Sequence, residues 1–264
     1  MQKEPKHAEL PLWVDKNFEE RCLNILDLVS DLNEYRASKN YPSLNFKAPE
    51  TLGECDDVKS KILGVYSKTL NEDYIIILNN LNLSVPFDEH EKIDKEIIKK
   101  EILENPNIIN KNCEIGHITG SALVIDSFNK KVLLHKHKKL GIWLQFGGHF
   151  DYELNPLEVA IRESKEESGL DDLKAVSYLS NINIPIDIEM QKIKEKFPKP
   201  GHFHADFRYL LNTNSPENVK ALDGESDDFW WLSVEEALLQ PDTLISKPVK
   251  RLILKADKYF KLSN

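Results

Sequence analysis

Residues 147–170 read GGHFDYELNPLEVAIRESKEESGL, and the punctuation of this stretch decides the fold. Asn155 supplies an N-cap, Pro156 a first-turn proline, Glu158 the third-position acid of a capping box, and Gly169 a C-terminal stop. The pattern predicts a helix over Pro156–Ser168. On that helix Glu163 lies three residues before Glu166 and four before Glu167. All three carboxylates therefore project toward one region, with Cβ atoms about 5–6 Å apart. Like charges so placed repel by about 0.2–0.5 kcal/mol per pair on an exposed helix. A divalent cation reverses the sign. Carboxylate oxygens suit hard ions, and Mg²⁺ takes a few carboxylates together with waters and substrate phosphates. A solvated acidic face is the alternative. Against it stands the company of the acids: Gly147 and Gly148 upstream, Arg162 directly before Glu163, and the closing Gly169 and Leu170.

This window resembles the signature of the Nudix hydrolases: a Gly, five residues, a Glu, seven residues, then Arg-Glu-aliphatic-any-Glu-Glu-any-Gly-aliphatic. Counting back from Arg162 puts Gly148 in its place. The resemblance implies that Glu163, Glu166 and Glu167 bind Mg²⁺ or Mn²⁺, with the backbone carbonyl of Gly148 joining the metal shell. Two positions depart from the pattern: Leu154 stands where the first Glu belongs, and Ser164 where an aliphatic residue belongs. In the family that Glu mainly supports the helix, often through the Arg. Glu158, four residues before Arg162 on the same helix face, is one replacement, and Glu153 is another. Residues 143–149, WLQFGGH, further resemble the subset of the family reading Trp-Leu-Gln-any-Gly-Gly-His.

Sequence on either side agrees. Residues 119–126 and 131–137 are apolar runs around a polar turn and predict a hairpin. Residues 202–211 and 229–232 predict strands, and residues 233–239 a short helix. This is the order of the family's α/β/α sandwich with a mixed sheet. The expected division is a helical N-terminal region, residues 1–112, followed by a Nudix hydrolase domain, residues 113–264.

Two features outside the box are candidates for completing a site. His202, His204, Asp206 and Arg208 alternate with Phe203, Ala205, Phe207 and Tyr209, so one strand face is polar. That face either lines a substrate cleft, with His204, Arg208 and the loop residue His149 contacting phosphate or sugar, or is an ordinary wet face. A zinc site from His202 and His204 lacks a visible third ligand at metal spacing. Glu225, in the acidic loop 223–228, matches a position where many family members carry a metal-ligating or basic glutamate. Asp227 and Asp228 compete for that role, and a simple acidic turn is the alternative.

The resemblance implies attack of a metal-activated water on a phosphorus of a diphosphate. The candidate catalytic groups are Glu166, Glu167 and Glu225, and the substrates are nucleoside diphosphates linked to another group. A Nudix-fold nucleotide-binding protein without turnover, prompted by Leu154, and an interaction protein acting through its N-terminal half are the other readings.

In residues 1–112, Phe18, Cys22, Ile25, Val29 and Leu32 keep helical spacing, as do Val58, Ile62 and Val65. Ile93, Ile97 and Ile98 point to a third helix. Core packing explains these stripes; a partner surface, a homodimer arm or a cap over the site are alternatives. No window approaches the roughly 18 apolar residues of a membrane span. Three scattered cysteines form neither a disulfide framework nor a metal quartet, which fits the cytoplasm. A net charge of −9 argues against a broad nucleic-acid surface. The HKHKK run at 135–139 is either a solvated strand end or a guide for an anionic substrate.

Overall fold

The computed structural model describes residues 72–105, 108–151, 153, 155–195, 201–221, 226 and 228–262. The helical stripes expected at residues 18–32 and 58–65, together with Leu154, Glu225 and Asp227, lie outside the described residues. Chain contacts divide the protein into Met1–Thr69 and Leu70–Asn264, and the described residues all belong to the second unit.

Two helices, α1 (Glu72–Leu83) and α2 (Glu89–Glu104), precede a mixed sheet of eight strands. The strands are β1 (Gly116–Asp126), β2 (Lys131–Lys136), β3 (Trp143–Leu144), β4 (Phe146–His149), β5 (Lys174–Ala175), β6 (Asp187–Ile193), β7 (His202–Asn212) and β8 (Phe229–Leu232). Helix α3 (Pro156–Ser168) follows β4, while α4 (Val234–Leu239) and α5 (Lys247–Phe260) close the described chain.

β1 is the axis. It is buried along its whole length, as befits a central strand covered on both faces. On one side it pairs antiparallel with β4 through residues 119–122 and with β2 through residues 124–126. On the other it pairs parallel with β7 from Gly116↔Phe203 to Ile125↔Asn212. Alternation then sorts the residues between faces. Gly120 and Phe207 face α3, where a Cβ on Gly120 would run into the Pro156 carbonyl and the Val159 side chain. The opposite face carries Leu123, Ile125, Leu134 and Leu210, packed on Val249, Leu252, Ile253 and Ala256 of α5. Helices thus cover both faces of the mixed sheet, in agreement with the expected α/β/α class.

β6 and α5 add to the elements expected from sequence. β6 pairs with β7 and takes α2 along it. Edge strands leave backbone N–H groups without a ladder partner; here two buried acids of α2 accept them, Ile188 N–H to Glu91 Oε1 at 3.1 Å and Met190 N–H to Asp94 Oδ2 at 3.1 Å. Glu91 is in turn held by Lys255 Nζ of α5 at 2.5 Å, with both side chains 0% exposed. A helical segment therefore docks onto the sheet through buried charge as well as apolar contact. Among the described residues, no helix is long and apolar enough to cross a membrane.

Candidate active site

The helix carrying the acidic trio has the predicted limits. Asn155 Oδ1 accepts from the Glu158 backbone N–H at 3.1 Å, Pro156 opens the first turn, and Gly169 ends it in the left-handed region at φ 67°. Its buried side is Leu157, Val159, Ala160, Ser164 and Ser168. Ser164, the departure from an aliphatic residue, is 0% exposed.

The box acids gather where β4 meets α3. A Cβ on Gly148 would meet the end of the flexible Glu163 side chain, so the bare backbone there is what lets the carboxylate lie close against β4. Glu167 Oε2 accepts from the Gly147 N–H at 2.9 Å. Arg162 sits among them. Its Nη1 lies 3.0 Å from Glu163 Oε1 and 2.9 Å from Glu166 Oε2, and its Nη2 donates to the His149 carbonyl at 2.7 Å. Its Nε donates to Glu153, whose side chain is only 4% exposed. Glu153 is thus the acid of the loop that bonds Arg162, while Glu158 lies on the exposed helix surface. Burial raises the Glu163 carboxyl above the ordinary carboxylate range, and Glu166 adds to this while Arg162 opposes it. Carboxylate oxygens suit a hard divalent cation in chemical kind, although the ligand atoms of Glu163, Glu166 and Glu167 do not all lie within 4.8 Å of one another.

Arg208 does not line a cleft. It is 1% exposed, with Nε 2.9 Å from Asp206 Oδ2 and Nη1 3.2 Å from Asp187 Oδ2. The pairing β6·β7 sets Asp187 opposite Arg208 and Glu189 opposite Asp206, so the wet face expected from alternation is closed by acids of the next strand and by α5. A buried guanidinium needs such partners. Arg251 of α5 joins the same group, binding Asp187 and Glu189 at 2.8 and 2.7 Å. Asp206 also accepts from Thr119 and Ser121 hydroxyls at 3.0 and 2.8 Å.

His149 and His204 are brought together, and two further histidines join them. His117 on β1 is registered directly beside His204, and His202 lies two residues before it. His117 carries no local signal in the sequence, because its partner His204 is 87 positions away across a parallel pairing. At the basic run, His135 is buried against Phe146, with ring centroids 4.8 Å apart, and only its neighbours turn outward.

The model of the NUDIX domain family matches residues 117–253, just over half of the chain. This protein belongs to the Nudix family. A relative named probable DHNTP pyrophosphohydrolase, from Lactococcus lactis subsp. cremoris (strain MG1363), is 31% identical over 173 residues, which is 64% of this chain and 92% of that protein. A carboxylic ester hydrolase of Bombus ignitus is 26% identical over 192 residues, 62% of this chain but 34% of that protein's length. Among solved structures, a Nudix family hydrolase from Clostridium perfringens is 28% identical, with a TM-score of 0.42 over 55% of this chain and 97% of that one. The chain is a Nudix hydrolase, an enzyme of the pyrophosphohydrolase class, and the family generally requires a divalent metal.

Proposed function

We propose that this Nudix hydrolase cleaves a diphosphate bond in a nucleoside diphosphate linked to another group, and that it uses Mg²⁺ or Mn²⁺ to do so. The supporting observation is the junction of β4 and α3, where Glu163 lies against Gly148, Arg162 bridges Glu163 and Glu166, and Glu167 accepts from the Gly147 N–H. Glu163, Glu166, Glu167 and the Gly148 carbonyl are the groups that would hold the ion. When bound, the cation supplies a water of lowered pKa and neutralises charge on the diphosphate oxygens. Arg162 positions the acids by bridging Glu163 and Glu166. One glutamate outside the innermost shell takes the proton of the attacking water, and Glu166, Glu167 and Glu225 are the candidates. Substrate contact falls to His149 and His204, with Arg208 withdrawn to a structural role by its burial. Residues 1–112 are assigned to a helical N-terminal region and residues 113–264 to the catalytic domain. The relative's name adds a pterin triphosphate to the substrates worth testing.

The experiment is a panel of nucleoside triphosphates, sugar nucleotides, dinucleotides and dihydroneopterin triphosphate, assayed with Mg²⁺, with Mn²⁺ and with chelator. Metal-dependent release from at least one compound is expected, falling by on the order of 10²–10⁴ in Glu167→Gln. Absence of metal-dependent release across the panel overturns the reading.

A further inference from the structure

His117, His149, His202 and His204 are half of the protein's eight histidines, and they share one face of the sheet. Three strands bring them together. β1 supplies His117, 3% exposed; β7 supplies His202 and His204, both half-buried; β4 supplies His149. The His117 ring centroid lies 4.5 Å from that of His204 and 5.2 Å from that of His202, and the His149 ring lies 4.9 and 5.0 Å from His117 and His204. One ring nitrogen from each of His117, His202 and His204 falls within 4.8 Å of the other two. The Nε2 atoms of His202 and His204 are 3.3 Å apart. That contact is a hydrogen bond between the two rings, and its length also matches the spacing of ligand nitrogens around a tetrahedral zinc, roughly 3.3–3.4 Å for Zn–N of about 2.0–2.1 Å.

We infer that His117, His202 and His204 form a second metal site, which takes a Zn²⁺-class transition ion through three imidazoles. The ligand chemistry separates it from the carboxylate site. Imidazole nitrogen prefers borderline transition ions, whereas the glutamates of α3 suit hard Mg²⁺ or Mn²⁺. The two sites flank β4, with Gly148 turned to Glu163 and the His149 ring turned to the other histidines. Imidazole ligates a metal through an uncharged ring nitrogen, which burial favours. An ion held among these rings places positive charge beside His149, the residue that adjoins the Nudix box. The inference does not depend on the hydrolytic reading.

The test uses the full chain, stripped with chelator, dialysed against Zn²⁺ in excess Mg²⁺ and analysed for bound metal. One zinc per chain is expected in the parent and in Glu163→Gln/Glu167→Gln, which removes carboxylates from the hard site and with them the diphosphatase activity. His202→Asn and His204→Asn should each lose the stoichiometric zinc while circular dichroism shows a folded chain. His202, half-buried, carries the test if substitution of the deeply buried His117 disturbs folding. Co²⁺ in place of zinc should give the intense visible absorption of a tetrahedral site in the parent and none in His202→Asn. Zinc uptake that fails in the parent, survives in folded His202→Asn/His204→Asn, or disappears with Glu163→Gln/Glu167→Gln overturns the assignment.

Discussion

Arg162 donates to Glu153, to Glu166 and to the His149 carbonyl while lying 3.0 Å from Glu163. One planar guanidinium thereby fixes the loop before α3, the strand β4 and two box acids in a common frame. Glu153 is the member whose loss releases that frame. Glu153→Ala is expected to lower kcat by about 10–100-fold, as removal of an outer-shell partner commonly does. Glu158→Ala, on the exposed helix surface, is expected to lose less than Glu153→Ala. Steady-state rates of the two variants under saturating Mg²⁺ decide it, and equal losses would remove Glu153 from the supporting role. A second residue-scale consequence concerns acid. His135 is 5% exposed, and burial, with His137 nearby, lowers its pKa from 6.5 to about 4. Between those values the unfolded chain binds a proton that the folded chain refuses, so stability is complete above about 6.5 and declines as the pH drops toward 4. At 1.36 kcal/mol per pKa unit the contribution is at most about 3 kcal/mol. Urea midpoints at pH 7.5 and 5 should differ less in His135→Gln than in the parent.

Helix α3 shows which elements could be read from the chain in advance, whereas strand β4 falls where Gly147 and Gly148 predict a loop. The helix limits were legible because every signal is local: a capping side chain, a first-turn proline and a left-handed glycine within one window. α5 was legible too, since Val249, Leu252, Ile253 and Ala256 repeat at helical spacing, but no motif drew attention to it. β6 was not. Its Asp187 and Glu189 look like loop residues until Arg208 and Arg251 meet them. Those partners come from other elements, and no local window contains them. The histidine group was half legible, because alternation aligns His202 with His204 but cannot show which strand lies alongside. Packing of α3 on β1 gives the element-scale prediction. In Gly120→Val the side chain meets the Pro156 carbonyl and Val159, so α3 must shift. Overpacking of this kind costs about 1–3 kcal/mol. A lowered melting temperature together with reduced turnover is expected, and an unchanged melt would show that the helix can slide freely over the strand.

At the scale of the whole molecule, buried charge links the helical segment, the sheet edge and the last helix. Lys255 holds Glu91 at 2.5 Å, and Glu91 holds the Ile188 N–H. Removing one member of such a pair leaves the other desolvated and alone, which costs about 3–5 kcal/mol. Lys255→Met should lower the unfolding free energy from urea titration by that much, and Lys255→Met/Glu91→Gln should recover part of the loss. A double variant no more stable than the single one would mean that the ion pair itself is not the link. The same architecture constrains biosynthesis. Thr119 of β1 finds its β7 neighbour Asp206 only 87 residues later. At about 5–20 residues per second of translation, the central strand waits roughly 4–17 s on the ribosome with one edge open. A nascent chain in that interval exposes apolar strand to its neighbours, so chaperone demand and co-translational aggregation should peak before β7 emerges and subside once it has docked.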